Sequence, residues 1–139
     1  MIAVTGASGH LGRLVIDQLL QKVPASGLVA TVRTPEKAKE LAGKGVSVRT
    51  AEYDEPQTLA AALDGVQKLL LVSSSEPGKR VQQHQAAIAA ARNANVELLV
   101  YTSMLHASTS GISLAVDHLA TEKMIAESGL PFVILRNGA

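Results

Sequence analysis

The first fifteen residues, MIAVTGASGHLGRLV, constrain this chain more than any other stretch. A short apolar run at 2–5 meets three glycines, Gly6, Gly9 and Gly12. Apolar positions at helical spacing then follow over 11–23: Leu11, Leu14, Val15 and Leu19. A glycine turn between a buried strand and an amphipathic helix is how a βαβ unit begins. Gly6 permits a tight exit from the strand, Gly9 lets a pyrophosphate approach the backbone, and Gly12 lets the helix lie close to the sheet. The spacing is GxxGxxG, one residue wider than the GxGxxG of dinucleotide dehydrogenases. Free N–H groups and a partial positive charge at the helix start suit phosphate. A close strand–helix turn would by itself account for three glycines; their place in a first βαβ unit points to a nucleotide site.

The rest of the chain repeats the alternation. LVATVR at 28–33 is a second strand, and Thr34-Pro35 starts a helix that Gly43 and Gly45 end. A strand at 46–50 and a short helix at 56–63 follow. VQKLLLV at 66–72 is a fourth strand, central because it is almost wholly apolar. An Ala/Gln-rich helix at 78–95, a fifth strand at 96–103, a helix at 113–128 closed by Gly129, and PFVILR at 131–136 complete the pattern. The expected fold is α/β: one Rossmann-like, doubly wound parallel sheet of about six strands in order 3-2-1-4-5-6, helices on both faces. It forms one NAD(P)-binding domain over 1–139, its binding crevice above the carboxyl ends of strands one and four.

Composition excludes several function classes. A net charge of +1 gives no general attraction to nucleic acid or anionic membrane. No apolar run approaches the roughly 18 residues that span a bilayer. With no cysteine there is no disulfide or thiolate chemistry, which fits a cytoplasmic protein. There is no zinc-ligand spacing, so no metal is expected, and no G-x-S-x-G.

The end of strand two selects the cofactor. NAD sites place an Asp or Glu there for the ribose 2′-hydroxyl, whereas this strand ends in Val32-Arg33, with Lys37 a helical turn beyond. A guanidinium can pair with a 2′-phosphate that a carboxylate would repel, so NADP(H) is expected over NAD(H). Glu36, at a helix start, serves the helix dipole instead.

GASGHLG, VR after strand two, LLLVSSSE, YTSMLHA, HLATEKM and LRNG occur together in this order. In this series the chain resembles the N-terminal half of the NmrA-like atypical short-chain dehydrogenases/reductases, and most of all the bacterial NAD(P)H:quinone oxidoreductases of the second type. The resemblance implies that Gly6, Ala7, Ser8, Gly9, His10 and Leu11 surround the pyrophosphate and that Arg33 takes the 2′-phosphate. It puts Ser73, Ser74 and Ser75 at the switch point after strand four. Asn137 and Gly138 would approach the nicotinamide. Family members are about twice as long, so the chain is expected to lack the C-terminal substrate half, and the surface after strand six to favour self-association.

Ordinary short-chain dehydrogenases use a Ser ending strand five and a Tyr-x-x-x-Lys on the next helix. Ser103 and Lys123 hold the first and last of these positions, but Leu119 stands where the tyrosine belongs. Neither Tyr101 nor Tyr53 replaces it by spacing. Without that proton donor ketone reduction is disfavoured; a quinone accepts hydride readily and its phenolate takes a proton from water. Ser103, Lys123 and the loop residue His106 are the catalytic candidates. His118 and Glu122, four apart on one helix, read as a solvated face rather than a metal or acid–base pair, and His84, among glutamines, as exposed. The expected function is NADPH-dependent reduction of a small quinone. The alternatives are a non-catalytic NADP(H)-binding regulator and an inactive fragment of a longer reductase.

Overall fold

Ile2–Val4 (β1) runs through the glycine turn into His10–Leu20 (α1), and Leu28–Val32 (β2) follows a short 3-10 turn at Ala25–Gly27. Ser47–Thr50 (β3) comes after a second 3-10 turn, Pro35–Ala38, and the short helix Lys39–Gly43 (α2). Then come Pro56–Ala62 (α3), Lys68–Leu71 (β4), Arg80–Asn93 (α4), Leu98–Met104 (β5), Ile112–Glu127 (α5) and Phe132–Asn137 (β6). This is a computed structural model that describes residues 1–73, 79–104 and 112–137. All six strands pair in parallel in the expected order, β3-β2-β1-β4-β5-β6. The helix expected from Thr34-Pro35 is split. Pro35 opens the 3-10 turn, and only Lys39–Gly43 is α-helical.

Period-two alternation along the strands divides the interior into two cores. Ala3, Val29, Leu69, Leu71, Leu99 and Tyr101 point to one face. They pack there with Leu59 and Ala62 of α3, Ala87, Ile88 and Ala91 of α4 and Ile125 of α5. Val4, Leu28, Ala30 and Val32 point to the other face, against Ile16 of α1 and Leu41 of α2. That second face is not covered throughout. Val133 and Leu135 of β6, in register with Val100 and Thr102, are exposed, as is Leu14 of α1.

Two glycines fix how α1 meets the sheet. Gly6 turns the chain at φ +58°, in the left-handed region. Gly12 lies so close to that turn that a Cβ there would overlap the Gly6 carbonyl oxygen and come within 2.8 Å of Ala7 Cα. Both obstacles are backbone, so nothing flexible can yield. Gly12→Ala should therefore lower stability by about 1–3 kcal/mol, the range for overpacking a well-packed contact. Urea denaturation would register it as a lower midpoint; an unchanged midpoint would mean that α1 can lift from the sheet without penalty.

Candidate functional site

A cleft of about 730 Å³ opens at the carboxyl ends of β1, β2 and β4. Its first wall is the glycine turn and the start of α1, with Gly6, Ser8, Gly9, His10 and Leu11 all lining it. Gly9 is the extended N-cap residue, and no side chain caps the helix. The first-turn N–H groups thus meet no capping oxygen of the protein itself. A Cβ on Gly9 would press on the Gly6 carbonyl at 3.2 Å, so the wall is kept to bare backbone. Such a wall fits a phosphate group. Ala7 is the one residue of 6–11 that does not line the cleft. Its side chain is buried in the second core, and its N–H donates to the Thr31 carbonyl at 3.3 Å.

Arg33 and Lys37 stand at the far end, beyond β2. Two N–H groups of Arg33, Nε and Nη2, donate to Glu52 Oε1 at 3.1 and 2.9 Å. Arg13, which sequence reasoning did not single out, ties the two ends of the cleft together. It donates to the Ser8 carbonyl at 3.2 Å and to the Lys37 carbonyl at 2.6 Å. Ser73 lines the opposite side, its N–H donating to Thr102 Oγ1 at 2.9 Å. Thr5 closes the gap between β1 and β4, its hydroxyl oxygen accepting from the Val72 N–H at 2.9 Å. Asn137 is the last residue of β6, paired with Met104. Ser74, Ser75, His106 and Gly138 lie outside the described residues.

Ser103 and Lys123 are not brought together. The buried Ser103 hydroxyl donates instead to Glu122 Oε2 at 2.7 Å, while Lys123 is exposed. Glu122 also receives Arg136, Nη2 to Oε1 at 2.7 Å and Nε to Oε2 at 3.3 Å. Arg136 holds the Glu122 carboxyl below the usual range, and the Ser103 hydroxyl adds to this. One carboxylate of α5 thus fastens the ends of β5 and β6.

Two expectations about histidines are overturned. His84 is not exposed but fully buried, and His118 is buried rather than on a solvated face. Both turn inward around Tyr101, whose hydroxyl lies 2.6 Å from His118 Nδ1 and 3.5 Å from His84 Nδ1. His84 Nδ1 is 2.9 Å from Thr121 Oγ1, and the Thr121 hydroxyl donates to the Asp117 carbonyl at 3.0 Å. That leaves the threonine oxygen to accept from His84. Arg80 closes the group on Asp117, Nη1 to Oδ2 at 2.9 Å. Polar helix residues are buried here because they satisfy one another. His118 and Glu122 therefore serve different partners and form neither a metal pair nor an acid–base dyad.

Burial lowers His84 to about 4, with the positive charges of His118 and Arg80 acting the same way. Burial and Arg80 lower His118 too, and burial raises the Tyr101 hydroxyl above its ordinary value. A histidine with a depressed folded value stabilises the protein fully above its unfolded pKa. That contribution is lost as pH falls from about 6.5 towards 4. Urea denaturation across this window should show a loss on the order of 3 kcal/mol. The loss should be smaller in His84→Gln, with His118 accounting for part of what remains; a pH dependence identical in that variant would assign the loss to other groups.

Residues 6–139 match a family described as NAD(P)H-binding. The chain is 54% identical to quinone oxidoreductase 2 of Escherichia coli, over 99% of its own length and 48% of that protein's. It is 37% identical to an NmrA-like family domain-containing oxidoreductase of Aspergillus flavus, over 97% and 46%. The crystal structure of an NADPH-dependent quinone oxidoreductase from Escherichia coli, complexed with NADPH, superposes with a TM-score of 0.93 at 53% identity. That superposition covers 99% of this chain and 48% of the other. The chain spans about half the length of the curated relatives it matches. A match over nearly all of its residues, on a sheet of the expected order with a glycine-walled cleft, makes the chain a member of the NAD(P)H-binding family.

Proposed function

We propose that this chain is the NADPH-binding domain of a quinone oxidoreductase. The observation that carries the reading is the cleft. It has a backbone phosphate wall at one end and Arg33 with Lys37 at the other. The chain that forms it is 54% identical to quinone oxidoreductase 2. Gly6, Ser8, Gly9, His10 and Leu11 hold the pyrophosphate against the start of α1, where uncapped N–H groups and the helix dipole favour negative charge. Arg33 takes the 2′-phosphate, with Lys37 adding positive charge beside it. Ser73 and Asn137, at the ends of β4 and β6, orient the nicotinamide half.

When bound, the reduced nicotinamide supplies the hydride. Reduction of a quinone to its hydroquinone would need, besides that hydride, one proton on the product oxygen, which water can give. The position of the usual tyrosine does not offer that proton. Leu119, at the position of the usual tyrosine, is an exposed apolar residue, while Tyr101 is fully buried and engaged with His118. A strong hydride acceptor needs no such donor, which favours a quinone over a simple ketone. The protein's part is orientation and electrostatics. A cytoplasmic location belongs to the same reading, since a chain without cysteine suits a reducing compartment. Among the described residues no helix is long and apolar enough to cross a membrane.

Stopped-flow oxidation of NADPH by benzoquinone tests the activity: the expected rate exceeds the uncatalysed reaction, and a rate equal to it rejects turnover by this chain. In equilibrium titrations Arg33→Ala should weaken NADPH by about tenfold or more, the loss of a charge-assisted pair, and NADH by much less. Equal losses for both cofactors would remove Arg33 from the 2′-position.

A further inference from the structure

The turn after β3 brings a carboxylate into the end of the cleft assigned above to the 2′-phosphate. Glu52 lines that end with Arg33, Lys37 and Tyr53, and its Oε1 accepts from Arg33 Nε and Nη2. The pair is accessible from the cleft, the Arg33 side chain being 48% and the Glu52 side chain 34% exposed. The Glu52 backbone is anchored. Its N–H donates to Thr58 Oγ1 at 2.8 Å, and the preceding Ala51 N–H donates to the Val32 carbonyl at 3.0 Å. The carboxylate is thus fastened beside the guanidinium by its own strand end.

We propose that Glu52 is a specificity-determining residue that restrains the site's preference for NADPH over NADH. A 2′-phosphate carries a charge of roughly −1.5 to −2 and must share the Arg33 guanidinium with a carboxylate that repels it. A 2′-hydroxyl meets the opposite situation, because it can donate to that carboxylate. In NAD sites the acid that does this stands at the end of the second strand. Here that position is Arg33, and the acid comes from the turn after the neighbouring strand β3. The two side chains place a phosphate-binding group and a hydroxyl-accepting group at one end of one cleft. This inference rests on the reading of that end as the 2′-site.

Glu52→Gln tests it, since the amide keeps the size of the side chain and the anchoring bonds use the Glu52 backbone. The measurement is equilibrium titration of wild type and variant with NADPH and with NADH, followed by nicotinamide fluorescence. The expected result is tighter NADPH binding with NADH unchanged or weaker, so that Kd(NADH)/Kd(NADPH) rises about fivefold or more, with the gain shrinking as salt is added. An unchanged or smaller ratio overturns the inference. It would mean that Glu52 acts only to position Arg33. A wild-type preference for NADH overturns NADPH as the better ligand, and the change in ratio still decides the role of Glu52; the Arg33→Ala titrations separately decide whether Arg33 takes the 2′-phosphate. Failure of the wild type to bind either cofactor overturns both.

Discussion

The close seating of α1 on the glycine turn is the contact on which the rest of this structure depends. With no side chain at Gly12, the helix lies against the Gly6 carbonyl and Ala7. Ile16 can then reach the core formed with Val4, Leu28 and Ala30. The same seating aims the uncapped start of the helix along the end of the sheet and puts Arg13 within reach of both Ser8 and Lys37. A single side chain thereby holds the turn after β1 and the turn after β2 at a fixed separation. The cleft between them is a consequence of backbone packing, before any charged group is considered.

Strand order was legible because parallel strands buried on both sides are written as continuous apolar runs, and the glycine turn announces where the first crossover starts. LVATV at Leu28–Val32 is buried at every position, and LLL at 69–71 sits between β1 and β5 as its composition implied. The phosphate wall was legible for the same reason, since it is backbone and its residues are adjacent in sequence. Glu52 was not. Nineteen positions separate it from Arg33, and only the pairing of β2 with β3 sets the two side by side. Nothing in the local pattern AEYDE distinguishes that carboxylate from its solvated neighbours.

The histidines escaped for a different reason. The sequence RVQQHQAAIAAARN gives α4 no clear apolar stripe, so its inward face cannot be read from hydrophobicity. Arg80 and His84 are buried because α5 and β5 bring Asp117, Thr121 and Tyr101 to meet them. Satisfaction of a polar group by partners on other elements leaves no local signature. Ser103 shows the same effect at the site itself. Its position at the end of β5 matched a catalytic serine, but the neighbouring helix presents Glu122 to it rather than Lys123.

Around Tyr101 the joint between α4, α5 and β5 is keyed as well as packed. An Ala-rich helix pair offers small, similar knobs that could settle in more than one alignment, one turn apart. A displacement of α5 by one turn here would separate Tyr101 from His118, His84 from Thr121 and Arg80 from Asp117. Several buried polar groups would lose their bonds together, and each such loss costs about 1–3 kcal/mol. The seam therefore admits one alignment. Because α5 also carries Glu122, that alignment transmits to Ser103 and Arg136 the position of α4, whose Ala87, Ile88 and Ala91 lie in the core with Leu69 and Leu71 of β4.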